Sequence, residues 1–326
     1  MSYVQPGVAD VHTNVALTQY SLGFLQSVEG FVADRAFTRL SVPKKSNTFT
    51  TYDRGMFNRD EMQRRAAGTE SSGMTYTVGS DTYLCERFAL HIMIDDELRA
   101  NADSQFRLDQ EAVEILTRKS LINREVKWAA DFFVTGAWTG EDAGVSGTPS
   151  GAQFKQWNDA ASTPIEDIRT SITARHAATG FRPNTFTVGR EVYDALLDHP
   201  DIVGRLDRGQ TVGTAMVLRQ NLAELFEVDE ILVMDAIANT AVEGATNAHS
   251  FIGGKAALLT YKAPNPGLLT PTAGLTFAFD AMGGIGTSIK RMRFEERTSD
   301  RIEIETHYDQ KQVAADLGHF FLTAVA

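Results

Sequence analysis

Residues 52–74, "YDRGMFNRDEMQRRAAGTESSGM", carry four arginines and four acids and almost no apolar periodicity. Short β-like pieces, "FTRLSVP" and "NTFTTY", precede the stretch, and an alternating run, "TYTVGSDTYLCERFALHIMI", follows it. Residues 44–83 therefore form an excursion of about forty residues between strands. Connections longer than about 12–15 residues are uncommon inside a compact domain and are usually functional or disordered. Disorder would account for the polarity. It leaves Phe49, Tyr52, Met56, Phe57, Met62 and Met74 unexplained, and those suit an arm that docks on something.

The 326 residues are 43% hydrophobic, enough for one large or two modest cores. Net charge is -11 and no Lys/Arg cluster forms a basic arm. An acidic surface repels phosphate, which argues against tight nucleic-acid binding. The single cysteine, Cys85, permits no intramolecular disulfide. No apolar run approaches the ~18 residues of a membrane-spanning helix, and the first thirty residues lack a signal-peptide pattern. These features predict a protein made in a reducing cytoplasm and used there or released from it.

Along the chain, residues 1–34 read as an arm, weakly amphipathic through Leu17, Tyr20, Phe24, Leu25 and Val28. It lies either on another surface or, as a short edge helix, on its own domain. In the run after the excursion, Leu84, Glu86, Phe88, Leu90, Ile92 and Ile94 share one strand face. Residues 105–134 predict one very long helix with Ile115, Ile122, Val126, Ala129 and Phe133 as its apolar stripe and a Glu114–Arg118 pair one turn apart. A Gly/Ser-rich crossing segment follows. Thr163, Pro164 and Glu166 then predict a capping box, Ile165, Ile168 and Ile172 a buried face, and Gly180 the helix end. β/α alternation marks a compact unit over residues 160–270. Strands return around Ile289–Phe294, Ile302–Tyr308 and the final "KQVAADLGHFFLTAV".

Chemistry-bearing motifs are scarce. "GGK" at residues 253–255 lacks the first glycine and the Ser/Thr of a phosphate-binding loop, and "GGIG" at residues 283–286 leads into a strand rather than a helix. The seven histidines show no metal-ligand spacing, and Asp316 with His319 supplies two groups only. Asp95, Asp96 and Glu97 read as helix-leading acids, "GREVYDALLDHPD" as a solvated helix face, and Cys85 as a structural thiol. No cofactor is expected and the chain does not read as an enzyme.

The order of parts, with "STPIEDI" (residues 162–168), "RPNTFTVGREVYDALLDHPDIVGRL" (182–206), "HSFIGGKAALLTYKAPNPGLLTPTAGLTFAF" (249–279) and "RTSDRIEIETHYDQKQVAADLGHFF" (297–321), resembles the major capsid protein of tailed double-stranded DNA bacteriophages. The resemblance implies an α+β, HK97-type fold. Its parts would be an N-terminal arm (1–34), an extended β-hairpin loop with flanking strands (35–94), a peripheral domain with a long spine helix (95–159 and 273–326) and an α/β axial domain (160–272). It further implies self-assembly through hexamers and pentamers into an icosahedral head in the host cytoplasm. Expected partners are copies of the chain, a portal protein, separate scaffolding and decoration proteins, and packaged double-stranded DNA touched weakly, with no membrane. Tyr52, Arg54, Met56, Phe57, Arg59, Asp60, Glu61, Arg64, Arg65 and Glu70 are the candidate inter-subunit contacts.

Some members of that family crosslink subunits from an extended-loop lysine to an asparagine. Here no lysine lies between Lys45 and Lys119, which predicts a non-covalent shell. No long acidic prodomain precedes the fold, so scaffolding is expected as a separate protein. Two other readings compete: an encapsulin-like compartment of the same fold, and a soluble α/β enzyme built on residues 160–270.

Overall fold

A computed structural model of the chain describes residues 28–52, 55, 58–75, 78–102, 107–207, 219–265, 270–280 and 286–326. In chain order the elements are α1 (Ala33–Ala36), β1 (Thr38–Val42), β2 (Ser46–Tyr52), β3 (Val78–Leu84), β4 (Glu86–Asp95), α2 (Asp96–Asn101) and α3 (Leu108–Phe132). Next come β5 (Gly140–Val145), β6 (Gln153–Lys155), α4 (Pro164–Thr179), β7 (Thr185–Gly189), α5 (Arg190–Leu197), α6 (Pro200–Asp207) and α7 (Arg219–Phe226). The rest is β: β8 (Glu230–Met234), β9 (Ile237–Asn239), β10 (His249–Phe251), β11 (Ala257–Thr260), β12 (Gly274–Phe279), β13 (Thr287–Phe294), β14 (Ser299–Gln312) and β15 (Gly318–Leu322).

Two sheets organise these elements. In the first, β14 is central. β12 and β13 run end to end along one edge of it, β4 along the other, and β1 pairs in parallel with β12. Residue alternation gives this sheet two unlike faces. Ile302 and Ile304 of β14, with Ile94 of β4, pack against Ala112 and Leu116 of α3. On the opposite face Glu303 and Glu305 are held by Arg301, Arg87 and Lys290. The second sheet has the order β6-β5-β15-β11-β7-β8 and buries a core of Ile165, Ile168, Ile172, Phe186, Leu222 and Phe321.

A third cluster joins the two sheets. Phe37 meets Trp128 edge-on at 5.6 Å and Phe132 at 4.8 Å, and the same cluster contains Leu232, Met234 and Phe320 of the second sheet. Each large side chain so buried contributes roughly 1.5–3 kcal/mol by removal from water.

Several expectations need correction. The second sheet crosses the limits drawn from the sequence, since β5, β6 and β15 pair in it with strands from residues 160–272. The crossing segment is not merely a linker: it forms β5 and β6 and buries Trp138, Phe154 and Trp157. The end of the supposed arm is also in the body, since Val32 and Ala33 are buried against α3. The apolar residues of residues 1–27 lie outside the described part.

The stripe on α3 is out of phase with burial. Ile115 and Val126 are exposed, while Ala112, Leu116, Arg124, Glu125, Trp128 and Phe132 are buried. A charged pair on the buried side hid the true period. The helix begins at Leu108, and residues 103–106 lie outside the described part. The Glu114–Arg118 pair forms at 3.8 Å. In the run after the excursion the chain breaks pairing at Cys85, which reverses the inward side: Tyr83 and Cys85 are buried, then Ile94, while Leu84 and Leu90 are exposed.

Helix α4 starts and ends where expected, with Gly180 at φ 78° as its left-handed cap. Thr163 caps through its backbone carbonyl, which accepts from Glu166 and Asp167, rather than through a capping-box side chain. The helix foreseen from residue 213 is described from Arg219, residues 208–218 lying outside.

Candidate inter-subunit surface

Strands β2 and β3 pair antiparallel from Ser46↔Leu84 to Tyr52↔Val78 and, among the described residues, with each other only. Seven residues at about 3.4 Å each make a ribbon of roughly 24 Å. A two-stranded hairpin has little stability by itself in water, so it needs a root and a surface to lie on.

The root is within the chain. Tyr83 stacks on Phe277 with centroids 4.5 Å apart and rings 12° from parallel, and Phe49 approaches the same ring at 5.5 Å. Val42, Cys85 and Phe277 complete a small buried cluster. The Cys85 amide donates to the Lys45 carbonyl at 2.8 Å and its thiol to the Phe277 carbonyl at 3.6 Å. The Leu84 amide donates to Asp309 at 2.9 Å, and Lys311 pairs with Asp81 at 3.4 Å. Burial, and after it the negative charge of Asp309, pushes the Cys85 thiol up to about 11, so it stays protonated and inert.

Beyond the root, every one of residues 58–75 is exposed except the half-exposed Glu61. Met62 reaches 94% exposure, unusual for so apolar a side chain. The segment nevertheless has local order. Asp60 accepts from the Met62 amide at 3.2 Å, Arg59 pairs with Glu61 at 3.6 Å, and Thr69 closes a turn on the Ala66 carbonyl at 2.9 Å, with Gly68 at φ 83°. Arg65 donates to the Thr69 carbonyl. Arg64 and Glu70 have no ion-pair partner among the described residues.

Of the residues singled out from the sequence, Arg59, Asp60, Glu61, Arg64, Arg65 and Glu70 therefore share this loop. Tyr52 ends β2, and its backbone is in register with Val78. Arg54, Met56 and Phe57 lie outside the described residues. Sequence reasoning missed the root. Its only signal was Phe49 within a run of polar β-formers, because Phe277 is far away in the chain.

The other polar residues singled out from the sequence are engaged within the fold. His199 is buried rather than on a solvated face. Its Nδ1 accepts from the Asp201 amide at 3.2 Å, which leaves the proton on Nε2. Nε2 therefore donates toward Ser162 Oγ (3.0 Å) and the Asp159 carbonyl (3.2 Å), so it is no base for the serine. His319 pairs with Asp142 at 2.9 Å, and Asp316 instead accepts from Thr139 at 2.8 Å. Asp96 leads α2 and is held by Arg293. Among the described residues no cluster of His, Cys, Asp and Glu is placed to hold a metal, and no helix is long and apolar enough to cross a membrane.

Residues 151–288 match the family model described as phage major capsid protein E. A major capsid protein of Burkholderia phage BcepMu is 24% identical over 221 residues, 68% of each chain. Among solved structures, a phage-related protein from Bordetella bronchiseptica RB50 superposes with a TM-score of 0.68 at 18% identity, covering 95% of this chain and 97% of its own. The capsid of cyanophage P-SCSP1u gives 0.55 at 13% identity over 87% and 84%. An encapsulin from Synechococcus elongatus PCC 7942 gives 0.50 at 9% identity over 95% of each. The chain has the HK97-type fold of phage capsid proteins, and over residues 151–288 it matches the phage major capsid protein E family.

Proposed function

We propose that this chain is the major capsid protein of a tailed double-stranded DNA phage, assembling through hexamers and pentamers into an icosahedral head. The observation that carries the reading is the β2–β3 ribbon. It is rooted by Tyr83 and Phe277 yet leaves Met62 exposed beside a row of charges, of which Arg64 and Glu70 have no ion-pair partner among the described residues. Head-to-tail contacts about a rotation axis close into rings, and such a ribbon supplies the overlapping surface. Arg59, Arg64 and Arg65, with Asp60, Glu61 and Glu70, are the contacts offered to a neighbour, together with Tyr52, Arg54, Met56 and Phe57.

The role is structural, without catalysis or cofactor. Shell formation would take place in the host cytoplasm, with a portal protein, a separate scaffold and decoration proteins as further partners. A net charge of -11 suits a wall that confines DNA without gripping it. The encapsulin reading rests on a similarity of fold at lower identity, whereas the sequence matches are to phage proteins. Electron microscopy of the expressed protein tests the proposal: rings or closed shells are expected, and a population of small soluble oligomers alone would overturn it.

A further inference from the structure

Glu125 is an acid in an unexpected place. It sits on the buried side of α3 with 1% of its surface exposed. Its Oε2 accepts the Val32 amide at 3.0 Å and the Ala33 amide at 2.8 Å, while Oε1 takes only a second branch from Val32 at 3.1 Å. The carboxylate thus caps the start of α1 from a residue 93 positions away. An open crevice of about 310 Å3 beside it is lined by Val28, Glu29, Phe31, Asp34, Arg35 and Arg124, among others, and connects the carboxyl group to solvent.

We infer that the docking of residues 28–33 onto the long helix α3 is a proton-coupled clamp, closed when Glu125 carries a proton and loosened when it is ionised. The bond pattern permits this, because both amides bond more closely to Oε2, and Oε1, with only the longer branch from Val32, can hold the proton. The charged surroundings favour it. On its own helix the neighbouring Arg124 is engaged by Asp34, Glu29 and Asp34 add negative charge from the N-terminal segment, and Arg35 is drawn to Glu230 of β8. From β1, Arg39 shares the field of Arg124 and Asp34; from β14, Tyr308 lies under Arg124 and Gln310 donates to its carbonyl.

Burial pushes the Glu125 carboxyl up to about 7 despite its two amide donors. In the undocked segment the group returns to the ordinary carboxylate range near 4.3. The docked state therefore binds the proton more tightly, and docking is favoured on the acid side of neutrality and weakened as pH rises through about 7. Phe37, fixed between Trp128 and Phe132, is the pivot that stays in place. The root from which residues 1–27 emerge would thus be held at pH 6 and loosened at pH 8.

Hydrogen exchange on the full chain, corrected for intrinsic rates, tests the clamp. Protection of the Val32 and Ala33 amides should fall about tenfold from pH 6 to pH 8. Glu125→Gln, which resembles the protonated acid, should keep protection at both pH values. Asp34→Asn removes a nearby negative charge, so the docked Glu125 loses its proton more easily and the transition should move to lower pH.

 If wild-type protection is equal at pH 6 and pH 8, or if Glu125→Gln loses protection in step with the wild type, the clamp is overturned. Should Glu125→Gln fail to fold, an unmoved midpoint in Asp34→Asn overturns it equally. The readout is local to residues 28–33, so it stands or falls separately from shell assembly.

Discussion

Tyr83 lies flat on Phe277, 4.5 Å away, and joins the foot of the exposed ribbon to the first sheet through a pair of residues 194 positions apart in the chain (277 minus 83). Tyr83→Ala should remove this stack and leave a cavity among Val42, Cys85 and Phe277, at a cost of about 3 kcal/mol. Tyr83→Phe keeps the ring and loses only the hydroxyl's 3.3 Å bond to the Lys44 carbonyl, at about 1 kcal/mol or less. Denaturant unfolding of both variants checks the contrast. An alanine variant as stable as the wild type would refute the root as described.

Cys85 supplies a probe of the same place. The thiol is buried and its pKa is raised to about 11, so at pH 8 only about one in a thousand is ionised. A thiol reagent should leave the folded protein almost untouched and react fully in denaturant. Rapid reaction under native conditions would mean that the root opens readily. In Tyr83→Ala the native reaction should accelerate.

Arg64 is exposed and has no ion-pair partner among the described residues, so Arg64→Glu should leave unfolding stability within about 0.5 kcal/mol of wild type. Its effect should fall on assembly, read as fewer rings or shells by light scattering and microscopy. With no lysine between Lys45 and Lys119, boiled particles should run as one band near 35.8 kDa, without a ladder of linked oligomers.

Asp300 at the start of β14 gathers Arg99 and Arg291 at 2.6 Å each and Arg293 at 3.6 Å. Bonds from Arg291 and then Arg99 hold its carboxyl down to about 2. A carboxyl depressed on folding stabilises above its unfolded pKa, near 3.9, and the contribution fades as pH falls toward 2. Asp300→Asn should melt lower than wild type at pH 7, and the two should converge between about pH 4 and pH 2. Melting temperatures across that range check it; a constant gap would count against the assignment.

Much of the architecture was legible because local signals agree with the fold. Pro164, the isoleucines at 165, 168 and 172, and Gly180 delimit α4 without help from elsewhere. The ribbon was legible as a polar excursion between strands. What escaped detection depends on distant partners. Arg124 and Glu125 break the apolar stripe of α3 because they meet Asp34, Val32 and Ala33 from the other end of the chain. Trp138, Phe154 and Trp157 sit in a Gly/Ser-rich stretch whose strand β5 joins the sheet through β15, from residues 318–322. Tyr83 and Cys85 were invisible as a root because Phe277 is what makes them one.

The position of β15 has a consequence for how the protein is made. It is the last strand of the described chain to leave the ribosome, yet it lies between β5 and β11, in the middle of its sheet. Until residues 318–322 emerge, β6–β5 and β11–β7–β8 are two fragments with open edges facing each other. A nascent chain cut short before residue 318 therefore cannot close this sheet, and the unit built on it is completed only once β15 is in place.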